Sequence, residues 1–146
     1  MCIRDRDYIR SVAAGFIFTT ALPPPTVAAA LASVRTLKAD NARRALLFDR
    51  AETLKAKFRA AGLPVMDSSS HIVPLMIGNA AKATQVSMRL IREYGMYATP
   101  INYPTVPAGT ERLRFTPGPK HTDEMMDGLV AALQKILLTE PAVASA

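Results

Sequence analysis

The amino-acid sequence predicts an α/β chain, built as an α+β layer in which helices cover one small sheet. Two observations support this prediction. Apolar residues recur at steps of three and four over most of the 146 residues, a spacing that is typical of helices. Two short segments, residues 71–77 and 112–116, have instead the composition or the alternation of strands. With 49% hydrophobic and 21% charged residues, the chain can bury a core.

The first part of the chain is predicted to contain a short helical turn, an extended segment and the start of a long helix. Residues 7–13 suit the turn, and residues 15–22, with their cluster of aromatic side chains, suit the extended segment. Three prolines at positions 23–25 then stop any preceding helix, but proline is favoured where a new helix begins.

A helical pattern follows as far as residue 61. Asp40 and Asn41 interrupt it, so that one kinked helix and two separate helices remain alternatives. Gly62, followed by Pro64, is a typical stop signal. The apolar stripe consists of Val27, Leu31, Val34, Leu37, Leu47, Leu54, Phe58 and Ala61.

The middle of the chain is predicted to form a strand, a helix and a second short strand. Residues 71–77 form the first strand, and Pro74 places it at a sheet edge or at a bulge, because proline cannot donate to a ladder. Residues 80–94 form a helix that Gly95 ends. Residues 96–98 suit the second strand.

The last part is predicted to form a stiff loop, a strand and an amphipathic helix. Residues 100–109 contain three prolines and a glycine, so we expect an ordered loop. The strand at 112–116 alternates apolar and basic side chains, which places Arg112 and Arg114 on one face. Residues 123–138 form the helix, with Thr122 as its cap.

Composition favours some classes of protein and excludes others. The net charge is +6, and much of it lies in residues 35–59, which suits either the solvated face of a helix or a phosphate-binding stripe. We favour the helix face, since few aromatic residues are interleaved to stack bases. A single cysteine, Cys2, permits no intrachain disulfide and indicates a reducing compartment, here the cytoplasm. We expect no metal site, no membrane span and no signal peptide.

Two groups of polar residues are candidates for chemistry. Arg112 and Arg114 follow the stiff loop, where a guanidinium can bind a carboxylate through two parallel hydrogen bonds; the alternative is a surface salt bridge, for example with Glu111. Thr19 and Thr20 precede a proline-started helix, where hydroxyls can bind a phosphate or simply cap the helix. The two histidines, His71 and His121, are expected to be structural.

Three segments resemble the 5-aminolevulinate synthase family. They occur in the family's order and at family-like separations, and the resemblance covers residues 7–138. The segments are RSVAAGFIFTTALPP at residues 10–24, HIVPLMIG at 71–78 and YATPINYPTVPAGTERLRFTP at 97–117. The resemblance implies the C-terminal small domain of a fold type I pyridoxal-phosphate enzyme, together with a linking segment and a long helix from the large domain.

The same resemblance implies a division of the chain. The divisions are residues 1–6, an N-terminal remnant outside the family pattern; 7–25, the end of the large cofactor-binding domain; 26–62, long connecting helices; 63–139, the C-terminal small domain; and 140–146, a flexible tail.

The resemblance also implies an activity. The family condenses glycine with succinyl-CoA to 5-aminolevulinate, CoA and carbon dioxide, with pyridoxal 5'-phosphate as cofactor, and works as a homodimer with shared active sites. Arg114 matches the residue that binds the glycine carboxylate, and Thr105 matches a residue of the succinyl pocket. Thr19, with Thr20 beside it, matches the residue that reaches the cofactor phosphate of the neighbouring subunit.

Some positions depart from the family pattern. The family has a larger polar residue at Thr99 and a basic residue at Ala108, which puts the affinity for acyl-CoA in doubt. The Schiff-base lysine of the family precedes the FIFTT motif by a few tens of residues, and none of the six lysines here lies in a matching motif. We therefore expect the chain alone to be inactive.

Three rival interpretations remain. The first is a related α-oxoamine synthase that uses another acyl-CoA or amino acid. The second is a non-catalytic basic binding module, for example for nucleic acid. The third is a fragment that does not fold on its own and has no function.

Overall fold

The structure, a computed structural model, describes residues 3–138 of the chain. Its elements form two compact units, which divide between Asp40 and Asn41. In the part that the structure describes, no helix has both the length and the apolar character needed to cross a bilayer. The segment 140–146, predicted to be a flexible tail, lies outside the described residues.

The first unit contains helices α1 (Ile3–Val12), α2 (Ala14–Ile17) and α3 (Pro24–Ala39). The prediction of an extended segment at residues 15–22 is wrong at its start, because Ile17 N donates to Ala13 O at 3.0 Å within a helical turn. The described residues of this unit contain no strand with which an extended segment could pair. Helical hydrogen bonds satisfy the backbone locally instead.

The long helical pattern forms two helices rather than one kinked helix. Helix α3 ends before Asp40, whose backbone angles of −109° and 81° are not helical, and α4 (Asn41–Ala60) follows in the second unit. Gly62 ends α4 as predicted: its φ is +69°, and Leu63 N donates back to Phe58 O at 3.0 Å.

The second unit is built on a three-stranded antiparallel sheet. Its strands are β1 (Val73–Met76), β2 (Thr99–Ile101) and β3 (Arg112–Phe115), in the order β1-β3-β2. The prediction of a strand at residues 96–98 is wrong, and the strand begins at Thr99 instead. Met96 N still donates to Leu90 O at 3.0 Å, so that residue belongs to the helix end that Gly95 closes with φ +66°.

Pro74 lies at the sheet edge, as predicted. Beyond β1, the 64–66 segment forms two further hydrogen bonds, from Met66 N to Pro74 O and from Met76 N to Pro64 O, both 2.9 Å long. Because the nitrogen and the oxygen of one strand residue point to the same side, the proline nitrogen faces this outer edge. The missing donor therefore does not interrupt the ladder with β3.

One face of the sheet is buried by helices and the other is not. The helices are α4, α5 (Ala80–Tyr94) and α6 (Asp123–Leu138), and the rings of Phe58 and Phe115 meet edge to face with centroids 5.3 Å apart. Leu113 and Phe115 point into this core, so Arg112 and Arg114 occupy the opposite face. The predicted layer of helices on a small sheet is confirmed.

Two of the three helices of this layer, α5 and α6, begin with side-chain caps. The Asn79 side chain accepts from Lys82 N at 2.9 Å at the start of α5. Thr122 Oγ1 accepts from Met125 N at 3.3 Å at the start of α6, which confirms the predicted cap.

Near the end of α5, Arg89 is expected to control the ionisation of Glu93. Its guanidinium donates two hydrogen bonds to the carboxylate, at 2.7 and 3.1 Å, and these bonds lower the pKa of Glu93. The associated stabilisation is present above the ordinary glutamate pKa and is lost as the pH falls through the lowered one. Arg89→Met should therefore raise the pKa of Glu93, as followed by NMR titration of its side-chain carboxyl.

Glu124 provides the control for this titration. The pKa of Glu124 is lowered chiefly by a hydrogen bond from the Thr122 side chain, and Arg89 is not among the groups that shift it. Arg89→Met should leave this titration unchanged. A parallel shift of both carboxyls would show a global effect of the substitution and would contradict the local assignment.

Candidate carboxylate-binding site

The helix-free face of the sheet forms the floor of a concave surface with a volume of about 500 Å³. Arg112 and Arg114 of β3 lie on this floor, between β1 and β2. Thr105 lines the surface from the loop that follows β2, and residues 66–70 line it from the segment that precedes β1. The structure thus brings Arg114 and Thr105, two of the predicted site residues, to one surface.

Arg114 is the exposed cation of this surface. It is paired across the backbone with Pro74 on one side and Thr99 on the other, so it lies in the central strand, where the backbone is held from both sides. Within residues 3–138 its guanidinium has neither a hydrogen bond nor an ion pair. Its donors are therefore available to an anion.

Glu111, the alternative partner for Arg114, forms its hydrogen bonds with other residues. It is only 4% exposed, and its Oε2 accepts from Gly109 N at 3.0 Å. Its carbonyl oxygen also accepts from Ile77 N and Gly78 N, both at 2.8 Å. The salt bridge that the sequence left open between Glu111 and an arginine is not formed, and Glu111 instead holds the loop against β1.

Arg112 differs from Arg114 although both lie on one face. It is half-buried, and its Nε donates to Thr110 O at 2.9 Å. This bond holds the side chain against its own strand. Of the two arginines, Arg114 is consequently the better placed to bind a ligand through both of its outer nitrogens.

The loop that carries Thr105 is ordered by short turns, as predicted, but it begins after Ile101: residues 100 and 101, predicted to belong to the loop, pair with β3 as part of β2. Thr105 N donates to Asn102 O at 3.0 Å, and Thr110 N donates to Pro107 O at 3.1 Å. The Tyr103–Pro104 peptide bond is cis. A loop held by these two turn hydrogen bonds presents the exposed Thr105 at a lower entropic cost than a flexible loop would.

Sequence reasoning missed the serine wall, which we define as residues Ser68, Ser69 and Ser70 at the edge of the concave surface. The hydroxyls of Ser68 and Ser70 lie 3.0 Å apart, and Ser70 Oγ accepts from Ile72 N at 3.2 Å. The run of three serines directly before a strand was the available signal. A further contact to the wall comes from Lys55, a distant residue whose Nζ donates to Ser68 O at 2.6 Å, and no local pattern indicates it.

Thr19 and Thr20 lie in the first unit, whereas Arg114 and Thr105 lie in the second. Both threonines are exposed. The cap of α3 is Pro23, which makes no side-chain bond, so neither threonine caps that helix. The capping alternative is therefore wrong, because Pro23 and Pro24 start the helix without a side-chain acceptor.

A second hollow, of about 510 Å³, does not suit an anion. Its lining is largely apolar, with Met96, Met125 and Leu129, and includes no lysine or arginine. His121 borders it, and His121 Nδ1 accepts from Gly118 N at 2.7 Å, a contact that agrees with the predicted structural role of this histidine. The surface around Arg114 is the better candidate site.

The basic residues at positions 35–59 lie on two helices, α3 and α4, and most of them are solvated as we favoured, but Lys55 is buried. Along α4, four basic residues are paired with carboxylates, at distances up to 3.2 Å. The pairs are Arg50 with Asp49 and Asp123, Lys55 with Glu52, Lys57 with Asp127, and Arg59 with Asp67. This neutralisation disfavours a phosphate-binding stripe.

Known proteins resemble the chain in sequence. A 5-aminolevulinate synthase from Bradyrhizobium diazoefficiens is 53% identical over 130 residues, which are 89% of this chain and 32% of that protein. The chain thus spans about a third of the length of this curated relative. The resemblance inferred from the three motifs is confirmed.

Solved structures resemble the chain in fold, and a family model matches its sequence. A serine palmitoyltransferase from Sphingomonas wittichii has a TM-score of 0.80 and 26% identity, covering 92% of this chain and 34% of its own. A serine palmitoyltransferase solved with pyridoxal phosphate has a TM-score of 0.80 and 27% sequence identity, with the same coverage of both chains. The model for class I and II aminotransferases matches residues 4–133. The chain therefore belongs to the class I and II aminotransferase family.

Proposed function

We propose that this chain is the C-terminal third of a pyridoxal-phosphate-dependent 5-aminolevulinate synthase, in which Arg114 binds the carboxylate of glycine. The supporting observation is the unpaired Arg114 guanidinium on a concave surface that Thr105 also lines. The identity of 53% to a 5-aminolevulinate synthase supports the choice of reaction. The full enzyme would join glycine to succinyl-CoA and release CoA and carbon dioxide, as a cytoplasmic homodimer.

The proposed role of Arg114 follows from its geometry. A guanidinium offers two parallel N–H groups, which fix both the position and the orientation of a carboxylate. The central strand of the sheet keeps the side chain's origin fixed, so that the orientation is maintained from one turnover to the next. Glycine held in this way would present the same bond to the cofactor each time.

The described residues fit part of a pyridoxal-phosphate site. The exposed hydroxyls of Thr19 and Thr20 would hold the phosphate group, in the partner subunit of the proposed dimer. When bound, the cofactor supplies the electron sink that the condensation needs. Lys55 is the one buried lysine among the described residues, but its amine is fully hydrogen-bonded and does not fit a covalent link to the cofactor.

Two departures from the family bear on the acyl-CoA side of the site. Thr99 lies directly across the ladder from Arg114, and Ala108 lies exposed in the loop that carries Thr105. A smaller side chain at Thr99 and the loss of a basic one at Ala108 would weaken contacts to the acyl-CoA. We therefore expect a lower affinity for succinyl-CoA than in synthases that have the usual residues.

The 146-residue chain alone is expected to form no 5-aminolevulinate from glycine, succinyl-CoA and pyridoxal phosphate. The physical reason is that no lysine in a matching motif is present to hold the cofactor. Colorimetric detection of the product tests this, with a full-length bacterial synthase as the positive control. Turnover by the purified chain would contradict the assignment of the covalent step to residues outside it.

A related acyltransferase is the second candidate, because the serine palmitoyltransferase structures share the fold at a TM-score of 0.80. The decisive assay offers several acyl-CoA donors and both glycine and serine to a full-length enzyme that carries this segment. Preference for succinyl-CoA and glycine supports the proposed function. Preference for a long-chain acyl-CoA and serine would replace it.

A further inference from the structure

Lys55 is buried although lysine is rarely found inside proteins. Its side chain on α4 is 1% exposed. The ammonium donates to Glu52 Oε1 at 2.7 Å, to Ser68 O at 2.6 Å and to Ser70 O at 3.2 Å. Each of its three protons has an acceptor, which is what a buried ammonium requires to offset the loss of its hydration.

Two of these acceptors belong to the serine wall. The carbonyl groups of Ser68 and Ser70 are directed to the ammonium, and the hydroxyls of the same residues contact each other. The wall lies outside the strands, so no ladder orders it. The buried charge therefore supplies the order that regular structure supplies elsewhere.

The serine wall and the Thr105 loop border the concave surface at different strands. The wall precedes β1, the Thr105 loop follows β2, and β3 with Arg114 lies between these strands. An anion on Arg114 would therefore share the concave surface with a wall whose Ser68 and Ser70 carbonyl oxygens are turned to Lys55. This arrangement matters because a carbonyl oxygen facing the anion would repel it.

We infer that Lys55 is a positioning residue for the carboxylate site, holding the serine wall so that its hydroxyl groups, not its carbonyl groups, border Arg114. The identity of the bound carboxylate rests on the proposed function, but the geometry of Lys55 and the serine wall does not. The alternative is a purely structural role, in which Lys55 only fills the core. A methionine of similar length would then replace it without any local change at the wall.

Amide hydrogen exchange in the 146-residue chain tests the geometry. In Lys55→Met, the amides of Ser70 and Ile72, both bonded to serine hydroxyls, should exchange at least tenfold faster than in the unmodified chain. The matched control is Lys57→Met: Lys57 lies on the same helix as Lys55, pairs with Asp127 of α6 and does not line the concave surface. Lys57→Met should leave the exchange rates of the Ser70 and Ile72 amides within twofold of those in the unmodified chain.

Protection of Leu75, in the β1–β3 ladder, shows whether each variant is folded. With Leu75 protected, unchanged exchange in Lys55→Met, or equal acceleration in both variants, overturns the inference. A direct measurement covers the case in which Lys55→Met does not fold. In the unmodified chain, scalar couplings are expected from Lys55 Nζ to the carbonyl carbons of Ser68 and Ser70, and their absence also overturns it.

Kinetics separate this inference from the proposed function. In a full-length synthase that carries this segment, Lys55→Met should raise the KM for glycine at least fivefold and change kcat less than twofold. Lys57→Met should change neither. If Arg114→Lys raises the KM for glycine and Lys55→Met does not, the positioning role of Lys55 is wrong, whereas the proposed function stands. If Arg114→Lys leaves the KM unchanged, the proposed function fails, and the exchange experiment still decides the geometry.

Discussion

Arg114→Lys is expected to raise the KM for glycine more than tenfold in a full-length synthase that carries this segment. Lysine keeps the positive charge but presents a single ammonium, which cannot reproduce two parallel hydrogen bonds to a carboxylate. A tenfold effect corresponds to about 1.4 kcal/mol of lost binding free energy. Steady-state kinetics at saturating succinyl-CoA measure it.

Arg112→Lys is the matched comparison, because the two arginines lie on the same strand face. The Arg112 side chain already donates to Thr110 O, so we expect Arg112→Lys to change the KM for glycine less than threefold. An unchanged KM in Arg114→Lys would remove the carboxylate assignment. A larger effect at Arg112 than at Arg114 would transfer it to the neighbouring arginine.

Phe58→Ala is expected to destabilise the second unit by roughly 3–5 kcal/mol, since it removes a fully buried ring and leaves a cavity. The ring contacts Phe115 at a centroid distance of 5.3 Å, so the loss affects both α4 and the strand that carries Arg114. Urea denaturation followed by circular dichroism measures the free energy of unfolding.

Phe48→Ala provides the control for this substitution on the same helix. Phe48 is 47% exposed, and its truncation should change the free energy of unfolding by about 0.5 kcal/mol or less. Equal losses in the two variants would contradict the proposed core. A loss confined to Phe58→Ala would show that Phe58 belongs to the core that stabilises the second unit and that Phe48 does not.

The sequence predicted best the elements with complete local signals. The bounds of α5 and α6 agree with the predicted residues 80–94 and 123–138, because each helix has an amphipathic stripe and a recognisable start. Gly95, with its positive φ, also fixed the end of α5. Periodicity and capping act within a few residues, so they can be seen in the sequence alone.

The wrong predictions concern segments whose structure depends on strand pairing with distant residues. The strand β2 begins at Thr99, three residues later than the start predicted at residue 96, because its position depends on the register with Arg114 and Arg112 of β3. The segment after residue 13 is helical at first, since the described part of its unit contains no strand to pair with. Neither fact is encoded in the local pattern.

In the candidate site, too, local patterns could be recognised in the sequence and long-range contacts could not. Arg114 and Thr105 were found through a motif, and alternation alone placed both arginines of β3 on one face. Lys55 was missed because its contacts to the serine wall span 13 and 15 residues. A lysine within a helical stripe resembles any solvated lysine until the fold shows it to be buried.

The covered outer edge of β1 has a consequence for how the protein behaves in concentrated solution. Exposed strand edges are where sheets recruit further chains and begin to aggregate. At this edge, Pro74 offers no donor, and its carbonyl group is already bonded to Met66. An incoming strand would have to displace residues 64–66 before it could add to the sheet. This edge, which borders the concave surface, is thus protected against amyloid-like growth by the same short segment that leads into the serine wall.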